Sequence, residues 1–509
     1  MSENSTKGIF LKARIIHINS NDYIIILNSE DAKKVGITLN DRVEVVKGNL
    51  SVVSKVHYST SLINPGEVGV YSNVSKEIDA KDGDTIYVEP IGIPKSFHCI
   101  KKKIAGEYLS KDEIMTIVKD ISSRRLTDLE MAAFVVAQQI RSMTTDEIEW
   151  LTRSIAESGT IIKFGKNAAD KHSIGGVPGN KVSLLIVPIV AAAGILIPKT
   201  SSKAITSPSG TANTMEVLAN VEFSADELKR IVNKTNGAIV WGGTLNLAPV
   251  DNILIERVEY PLQLNPHSQM LASIMAKKLA TSIKYLVMDL PVGSGCKIAT
   301  KEEAIELANS FIELGRRVGI QVACGVTYGG QPVGHAVGPA LEAREALQAF
   351  KKYLPSSLVE KSVRLAGLLF EIVGLAERGC GANMAREIFM SGRAEAKFRE
   401  IIEAQGGNPK ITPEEVPVGD HVMKIVAEQP GYATALDNKA IVRIAKAAGA
   451  PEDPGAGVLL YGKVGHKFEK GDTIMEIYGH NATKVRDAYN LALQLKPITI
   501  ESMLLEVIA

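Results

Sequence analysis

The sequence predicts a multidomain α/β protein, and three observations predict it. The chain has 509 residues, which is more than a single hydrophobic core usually holds. Short β-branched runs fill its first part, whereas helical periodicity and then alternating helices and strands follow. We therefore expect four parts: a β-rich N-terminal domain (1–90), a helical domain (91–160, with 250–283), a central α/β domain with a mixed or parallel sheet (161–249 and 284–411) and a small C-terminal α/β domain (412–509).

The β-rich part is predicted from four runs that are typical of strands: ARIIHI, YIIILN, RVEVVKG and TIYVEP. Turn signals such as SNDY and AKDGDT lie between them. The helical part is predicted from three capping boxes, in which a Ser or Thr and a Glu three residues later satisfy the first helical amides. These boxes are Ser110 with Glu113, Thr127 with Glu130, and Thr144 with Glu147. We expect at least three helices here.

The central part alternates helices with strand-like segments at Ala238–Trp241, Tyr285–Leu290 and Gly319–Val326. Such alternation predicts a largely parallel sheet, with ligands at the carboxyl ends of its strands. The apolar run Val182–Pro198 is barely long enough to span a membrane, and Ser, Gly and Pro interrupt it, so we expect a buried helix. The Gly- and Pro-rich C-terminal part predicts short strands with tight turns and one or two helices.

The charge balance excludes some classes of partner. Lys plus Arg total 58 and Asp plus Glu total 57, so the chain has no basic excess for nucleic acid or a membrane surface. Its four cysteines form no CxxC pair, and no His, Asp and Glu cluster has the spacing of metal ligands. The first residues lack the pattern of a signal peptide. We therefore expect a cytoplasmic protein that binds no metal, nucleic acid or membrane.

The segment from Asp170 to Ser183, DKHSIGGVPGNKVS, has the composition of a phosphate-binding loop. It combines three glycines, two lysines, a histidine and two serines directly before a predicted helix. Glycines let the backbone approach an anion, helix N-terminal amides point at it, and lysines supply charge. The alternative interpretation is a polar turn between a strand and a helix.

A second loop, Thr200 to Thr211, reads TSSKAITSPSGT and is rich in hydroxyl groups. Such a loop can surround an anion with neutral donors. A flexible linker is the alternative, although a linker is not expected between two helices of a compact domain. The two loops predict either two phosphates or one phosphate that is held from two sides.

These two loops, together with LAPVDN (Leu247–Asn252), LASIMAKKLA (Leu271–Ala280) and VMDLPVGSG (Val287–Gly295), resemble the thymidine/pyrimidine-nucleoside phosphorylase family. The resemblance runs from about residue 101 to the C-terminus. The SSKAITS loop and the β-rich N-terminal part favour the archaeal branch that acts on AMP. The resemblance implies that phosphate attacks C1′ of the ribose, so that AMP yields adenine and ribose 1,5-bisphosphate, with CMP and UMP as further candidate substrates. It also implies inorganic phosphate as co-substrate, no other cofactor, and a homodimer or larger homo-oligomer.

The resemblance assigns site residues by position. Those implied to contact the attacking phosphate are Lys171, Ser173, Ser183, Ser202 and Thr211. Those implied to bind the nucleotide are Gly176, Ser202, Lys203, Ala204, Ile205, Thr206, Ser207, Thr211, Ser273, Lys277 and Lys297. Ser273 and Lys277 are four residues apart and share one face of a predicted helix. Without the resemblance, we would expect a lysine such as Lys277 or Lys297 to be a solvated surface residue.

Three positions depart from the family pattern. Lys203 stands where the AMP branch has Arg, and Asn213 stands where Asp is usual. Asn265 falls where the family has its proton-donating Asp, and an Asn can donate a hydrogen bond but cannot deliver a proton. Asp251 and His172 are the alternative acids, although a structural histidine is an equal interpretation of His172.

Three other functions stay open on the sequence. A nucleoside phosphorylase for thymidine or uridine would leave the N-terminal part unexplained. A phosphoribosyltransferase would need magnesium, and no acidic metal pair is evident. A catalytically weak homologue that binds nucleotide is the third, because of Asn213 and Asn265.

Overall fold

The structure is a computed structural model that describes residues 8–20, 22–164, 167–204 and 207–504. The described residues divide into two compact units. The first unit draws on Met1–Gly159 and Ala248–Ala276, and the second on Thr160–Leu247 and Lys277–Ala509. The predicted limits of the four domains stay a prediction.

The first unit begins with a closed β-barrel in the strand order β1-β5-β2-β4-β3-β6. Its strands and two short helices are β1 Ile9–Ile16, β2 Ile24–Asn28, α1 Ser29–Lys34, β3 Arg42–Lys47, β4 Leu50–Ser59, β5 Glu67–Tyr71, α2 Ser72–Glu77 and β6 Thr85–Pro90. Alternate residues point inward, as Val43 and Val45 of β3 show, and they form a continuous apolar core. The prediction of a β-rich N-terminal part is confirmed.

Four helices follow the barrel: α3 Lys95–Ile104, α4 Lys111–Ser122, α5 Asp128–Ile140 and α6 Thr145–Glu157. The three predicted capping boxes start α4, α5 and α6, with both reciprocal hydrogen bonds present in each. The chain returns to this unit with α10 Pro249–Leu254, a π-helical turn Ile255–Glu259, α11 Tyr260–Leu262 and the long helix α12 His267–Ala280. The boundary between the two units falls within α12, between residues 276 and 277.

The second unit contains a parallel sheet. Its elements are β7 Ala169–Ser173, α7 Ser183–Ala192, β8 Ile197–Ser201, α8 Thr211–Glu216, α9 Ala225–Thr235, β9 Gly237–Trp241, β10 Tyr285–Val292, α13 Lys301–Val318, β11 Gln321–Tyr328, β12 Ala336–Val337, α14 Pro339–Lys352, α15 Ser356–Val373, α16 Gly381–Met390 and α17 Arg393–Ala404. Strands β11, β10 and β7 pair in parallel, as do β8 and β9. A parallel bridge between Ala168 and Leu196 joins the two groups, so the sheet order is β9-β8-β7-β10-β11. The predicted parallel sheet is confirmed.

Helix α7 forms the centre of this unit's core. Its residues from Ser183 to Ala191 are buried, and Pro188 lies inside it. The burial follows from the apolar run, and the prediction of a buried helix is confirmed. Among the helices of the described residues, none is long and apolar enough to cross a membrane.

The C-terminal part of this unit holds two small sheets. Its elements are a 3-10 turn Pro413–Glu415, β13 His421–Val426, β14 Gly431–Leu436, α18 Asn438–Ala447, β15 Gly457–Leu460, β16 Lys467–Phe468, β17 Thr473–Gly479, α19 Ala482–Leu495 and β18 Ile498–Glu501. One sheet has the order β12-β15-β17-β13 and the other β16-β14-β18. The expected short strands and two helices are present here.

Candidate active site

The two predicted anion loops lie at the carboxyl edge of the parallel sheet. Lys171, His172 and Ser173 form the end of β7, and Ser202 follows β8 directly. Lys297 lies in the loop that follows β10. Carboxyl ends of parallel strands share one edge, which is where α/β sheets bind ligands.

A buried carboxylate, that of Asp289 in β10, forms ion pairs with two lysines near this edge. The Nζ atom of Lys361 lies 3.0 Å and that of Lys171 3.8 Å from Asp289 Oδ2. Thr327 and Asn180 donate further hydrogen bonds to the carboxylate, at 2.6 and 3.0 Å. Burial alone would raise the pKa of Asp289, but Lys361 and Lys171 lower that pKa to about 2. Asp289 is therefore ionised at neutral pH.

A second buried carboxylate, Asp170 of β7, binds two more lysines. Lys278 Nζ lies 2.5 Å from Asp170 Oδ2, and Lys199 Nζ lies 3.7 Å from Oδ1. Burial lowers the pKa of Lys199 to about 7, against the attraction of Asp170. Burial and the nearby lysines, with Lys278 first among them, hold the pKa of His172 well below its usual range. His172 is thus neutral near pH 7.

Lysines outnumber carboxylates in this cluster. The four lysines and two aspartates are Lys171, Lys199, Lys278, Lys361, Asp170 and Asp289. Burial lowers the pKa of Lys171 to about 8, and the nearby Lys361 and Lys278 oppose the attraction of the two aspartates. A bound anion would supply the missing negative charge. The arrangement therefore favours a phosphate site.

The loop after β7 is shaped by Asn180 and by two glycines. Ser173 Oγ accepts hydrogen bonds from Asn180 Nδ2 at 3.1 Å and from the Gly175 amide at 3.4 Å. Gly176 has φ +91°, and a Cβ atom there would lie 2.8 Å from the Lys297 amide nitrogen. The structure thus brings two predicted nucleotide-binding positions, Gly176 and Lys297, into direct backbone contact.

The second lysine of this motif, Lys181, has a structural role. Its Nζ atom lies 2.5 Å from Glu345 and donates to the carbonyls of Val333 and Ala336. Ser183 is the first residue of α7 and is buried. Of the two lysines in the motif, only Lys171 belongs to the charge cluster.

The hydroxyl-rich loop after β8 is held together by Asn213. Its Oδ1 atom accepts hydrogen bonds from the amides of Ala204 at 2.6 Å and Gly210 at 3.2 Å. The family's Asp would offer the same acceptor, so Asn213 keeps this function. Thr211 is the first residue of α8, and Ser207 Oγ donates to the Ser209 carbonyl. The predicted positions Ile205 and Thr206 lie outside the described residues.

Lys203 is engaged by acidic residues. Its Nζ atom lies 2.8 Å from Glu216 and 3.0 Å from Glu222, and it sits 4.7 Å from the centroid of the Trp241 ring. Two carboxylates around one ammonium leave a net negative charge here. Lys203 therefore contributes little positive potential for a substrate phosphate.

The remaining predicted residues belong to α12 and the first unit. Asn265 is exposed just before α12, and its Nδ2 lies 3.7 Å from Met270 Sδ. Asp251 is fully buried in α10. Ser273 and Lys277 are both partly exposed on α12, whereas residues 274–276 and 278 are buried, as a shared helix face requires.

Five charged residues of the buried cluster were not among the predicted contacts. Asp289 and Lys199 stand inside the apolar segments VMDLPV and ILIPKTS, where a single charge in a buried strand is a usable signal. Asp170 and Lys278 neighbour predicted positions. Lys361 lies on an ordinary amphipathic helix, and nothing in its surrounding sequence marks it. Among the described residues, no three His, Cys, Asp or Glu side chains lie close enough to hold a metal ion.

Three family models match this chain. The model of the glycosyl transferase family helical bundle domain matches residues 98–159, and that of the family's a/b domain matches residues 165–395. The model of the pyrimidine nucleoside phosphorylase C-terminal domain matches residues 432–498. These matches confirm the resemblance that the motifs predicted.

Solved structures support the fold. Anthranilate phosphoribosyltransferase from Thermus thermophilus superposes with a TM-score of 0.51 and 18% identity. The match covers 60% of this chain and 99% of that protein. At this identity the likeness shows the fold alone.

Relatives of known name match almost end to end. AMP phosphorylase 1 of Archaeoglobus fulgidus is 49% identical over 98% of this chain and 99% of its own. AMP phosphorylase of Thermococcus kodakarensis is 50% identical over 97% of this chain and 98% of its own. AMP phosphorylase of Methanococcus maripaludis is 47% identical over 98% of this chain and 99% of its own. The chain therefore belongs to the AMP phosphorylase family.

Proposed function

We propose that this protein is a pentosyltransferase that cleaves nucleoside 5′-monophosphates with inorganic phosphate. AMP and phosphate would give adenine and ribose 1,5-bisphosphate, and CMP and UMP are further candidate substrates. The names of the full-length relatives support this proposal. The observation that carries it is the buried cluster of four lysines and two aspartates at the carboxyl edge of the sheet.

The cluster would bind and orient the attacking phosphate. Lys171 supplies positive charge, and Ser173, Ser183, Ser202 and Thr211 supply hydroxyl donors around it. A phosphate oxygen forms a bond to C1′ while the bond from C1′ to the base breaks and its electron pair leaves with the base. Holding phosphate in line with C1′ turns a bimolecular encounter into an oriented one, and fixed positive charge stabilises the transition state.

The departing base must gain a proton or a strong hydrogen bond. A neutral His172 can donate one N–H bond but does not hold the extra proton of an imidazolium near pH 7. Asn265 can likewise only donate a hydrogen bond. Asp251 is the third candidate for this role. Substituting His172, Asn265 and Asp251 one at a time shows which of them the departing base requires.

We also propose a homodimer or larger homo-oligomer in the cytoplasm, with small-molecule substrates and no nucleic-acid or membrane partner. Inorganic phosphate would be the co-substrate, and no metal or other cofactor would be required. Size-exclusion chromatography with light scattering tests the assembly. Turnover measured with and without EDTA tests whether a metal is required. Unchanged turnover supports the proposal, and a full loss that magnesium restores would contradict it.

The test of function is release of free base from AMP, adenosine and thymidine, each with and without phosphate. Adenine from AMP only when phosphate is present supports the proposal. Faster release from adenosine or thymidine than from AMP would favour a nucleoside phosphorylase. AMP binding by calorimetry without any release would favour the catalytically weak homologue.

A further inference from the structure

The C-terminal part contacts the loop that follows β10 at the start of α18, where Asn438 lies. It is the first residue of α18, and its side chain is buried. The Nδ2 atom donates to the carbonyl of Gly329 at 2.9 Å and to that of Ser294 at 3.4 Å. Asn438 thereby links the glycine-rich loop of residues 293–297, which follows β10, to the segment that follows β11.

This glycine-rich loop is packed tightly on two sides. A Cβ atom on Gly295, at φ +80°, would lie 3.2 Å from the Asn438 Cβ. On the other side, Gly176 lies against the backbone of Lys297. The Cys296 thiol donates to the Gly329 carbonyl at 3.2 Å, the same oxygen that accepts from Asn438. The loop thus has little room to move while Asn438 is in place.

Packing alone does not explain an asparagine at this position. Within the described residues, the Oδ1 atom of Asn438 is buried and accepts no hydrogen bond. A buried acceptor without a donor reduces stability, so an apolar side chain of similar size would be preferred for packing. Compared with an apolar side chain, the amide adds hydrogen bonds to the carbonyls of Ser294 and Gly329.

We propose that Asn438 is a positioning residue that holds the 293–297 loop and thereby keeps Lys297 beside Gly176. The part of this inference that concerns nucleotide binding rests on the proposed function. The part that concerns the loop does not. The C-terminal region would therefore take part in substrate binding without touching the substrate.

The experiment uses the full chain with Asn438→Ala and with Asn438→Asp, which keeps the shape but loses the donors. Asn481→Ala is the control, because Asn481 caps α19 in the same part of the chain and makes its bond to the Lys484 amide. The first readout is the alkylation rate of Cys296 by iodoacetamide, followed by peptide mass spectrometry. Cys99 and Cys324, which are partly buried, report any general loosening, and the exposed Cys380 gives the rate of an accessible thiol.

Both Asn438 variants should raise the alkylation rate of Cys296 roughly threefold to tenfold. The reason is that the free energy of local opening falls by the contribution of one or two hydrogen bonds. The KM for AMP should rise by a similar factor with kcat changed less. Asn481→Ala should alter neither.

Unchanged alkylation of Cys296, or wild-type behaviour of Asn438→Asp, overturns the proposal. Faster alkylation with an unchanged KM also overturns it, because the loop would then not serve the site. If the wild-type protein releases no base from AMP, the proposed function fails, and the Cys296 rate alone still decides whether Asn438 holds the loop.

Discussion

Lys278 Nζ lies 2.5 Å from Asp170 Oδ2, and both side chains are almost completely shielded from solvent. Removing one member of such a buried pair leaves an uncompensated charge in the interior. The pair thus holds the last residues of α12, which belong to the second unit, against strand β7.

Asp170→Asn should destabilise the protein by about 3–5 kcal/mol, because it leaves the Lys278 ammonium buried without its carboxylate. Urea unfolding followed by circular dichroism measures the change. Glu360→Gln is the matched control, since it weakens only the exposed pairs with Arg364 and Arg386 and should cost below about 1 kcal/mol. Equal shifts of the two midpoints would contradict the predicted importance of the Asp170–Lys278 pair.

The KM for phosphate should rise at alkaline pH. Burial sets the pKa of Lys171 at about 8 in the free enzyme, so its positive charge is lost as the pH rises through that value. We expect a rise of roughly tenfold between pH 7 and pH 9 in initial-rate measurements, if binding requires the protonated lysine. Lys171→Arg keeps its charge throughout this range, so its KM should be higher and should lack the rise centred near pH 8. A pH-independent KM in the wild-type protein would exclude Lys171 as the titrating group.

Lys203→Ala should raise the KM for AMP less than about threefold. Glu216 and Glu222 already neutralise the ammonium, and exposed pairs of this kind contribute little. Saturation curves with AMP at fixed phosphate give the value. Ser202→Ala serves for comparison, because Ser202 is the predicted hydroxyl donor next to it. A tenfold effect of Lys203→Ala would mean that the side chain leaves its carboxylates when nucleotide binds.

Asn265→Asp should increase kcat for AMP by at least about tenfold, since a general acid typically contributes a factor of about 10²–10⁴. The carboxyl must be protonated to act, so kcat of the variant should fall as pH rises. Single-turnover release of adenine between pH 5 and pH 8 shows both effects. Asn213→Asp is the control, because either side chain offers the same acceptor to Ala204 and Gly210. No gain at any pH would place proton donation elsewhere.

Features of the fold that arise from local interactions could be predicted from the sequence. The capping boxes indicated the first turns of α4, α5 and α6, because the cap and its Glu are three residues apart. The strand β9 follows from a compact apolar run. The closed topology of the barrel could not be predicted, because it depends on parallel pairings such as β1 with β5 that no local pattern encodes.

The candidate site was predictable in its loops but not in its charges. Glycines, hydroxyls and Lys171 mark the loops after β7 and β8. The partners of the charges are distant in sequence: Lys361 pairs with Asp289, and Lys203 pairs with Glu222. Whether a lysine faces a ligand or a carboxylate is decided by such pairs. Lys181 and Lys203 lie in loops whose sequence predicts phosphate binding, but each forms an ion pair with an acidic side chain.

Strand β12 consists of only two residues, Ala336 and Val337, yet it forms the end of the sheet that β15, β17 and β13 complete. A gene cut near residue 412 would therefore release a C-terminal fragment whose β15 has an open edge, ready to pair with another chain. The C-terminal region alone therefore lacks one strand of its own sheet. A chimaeric enzyme that carries this region should include the Ala336–Val337 segment, because the edge of β15 stays unpaired without it.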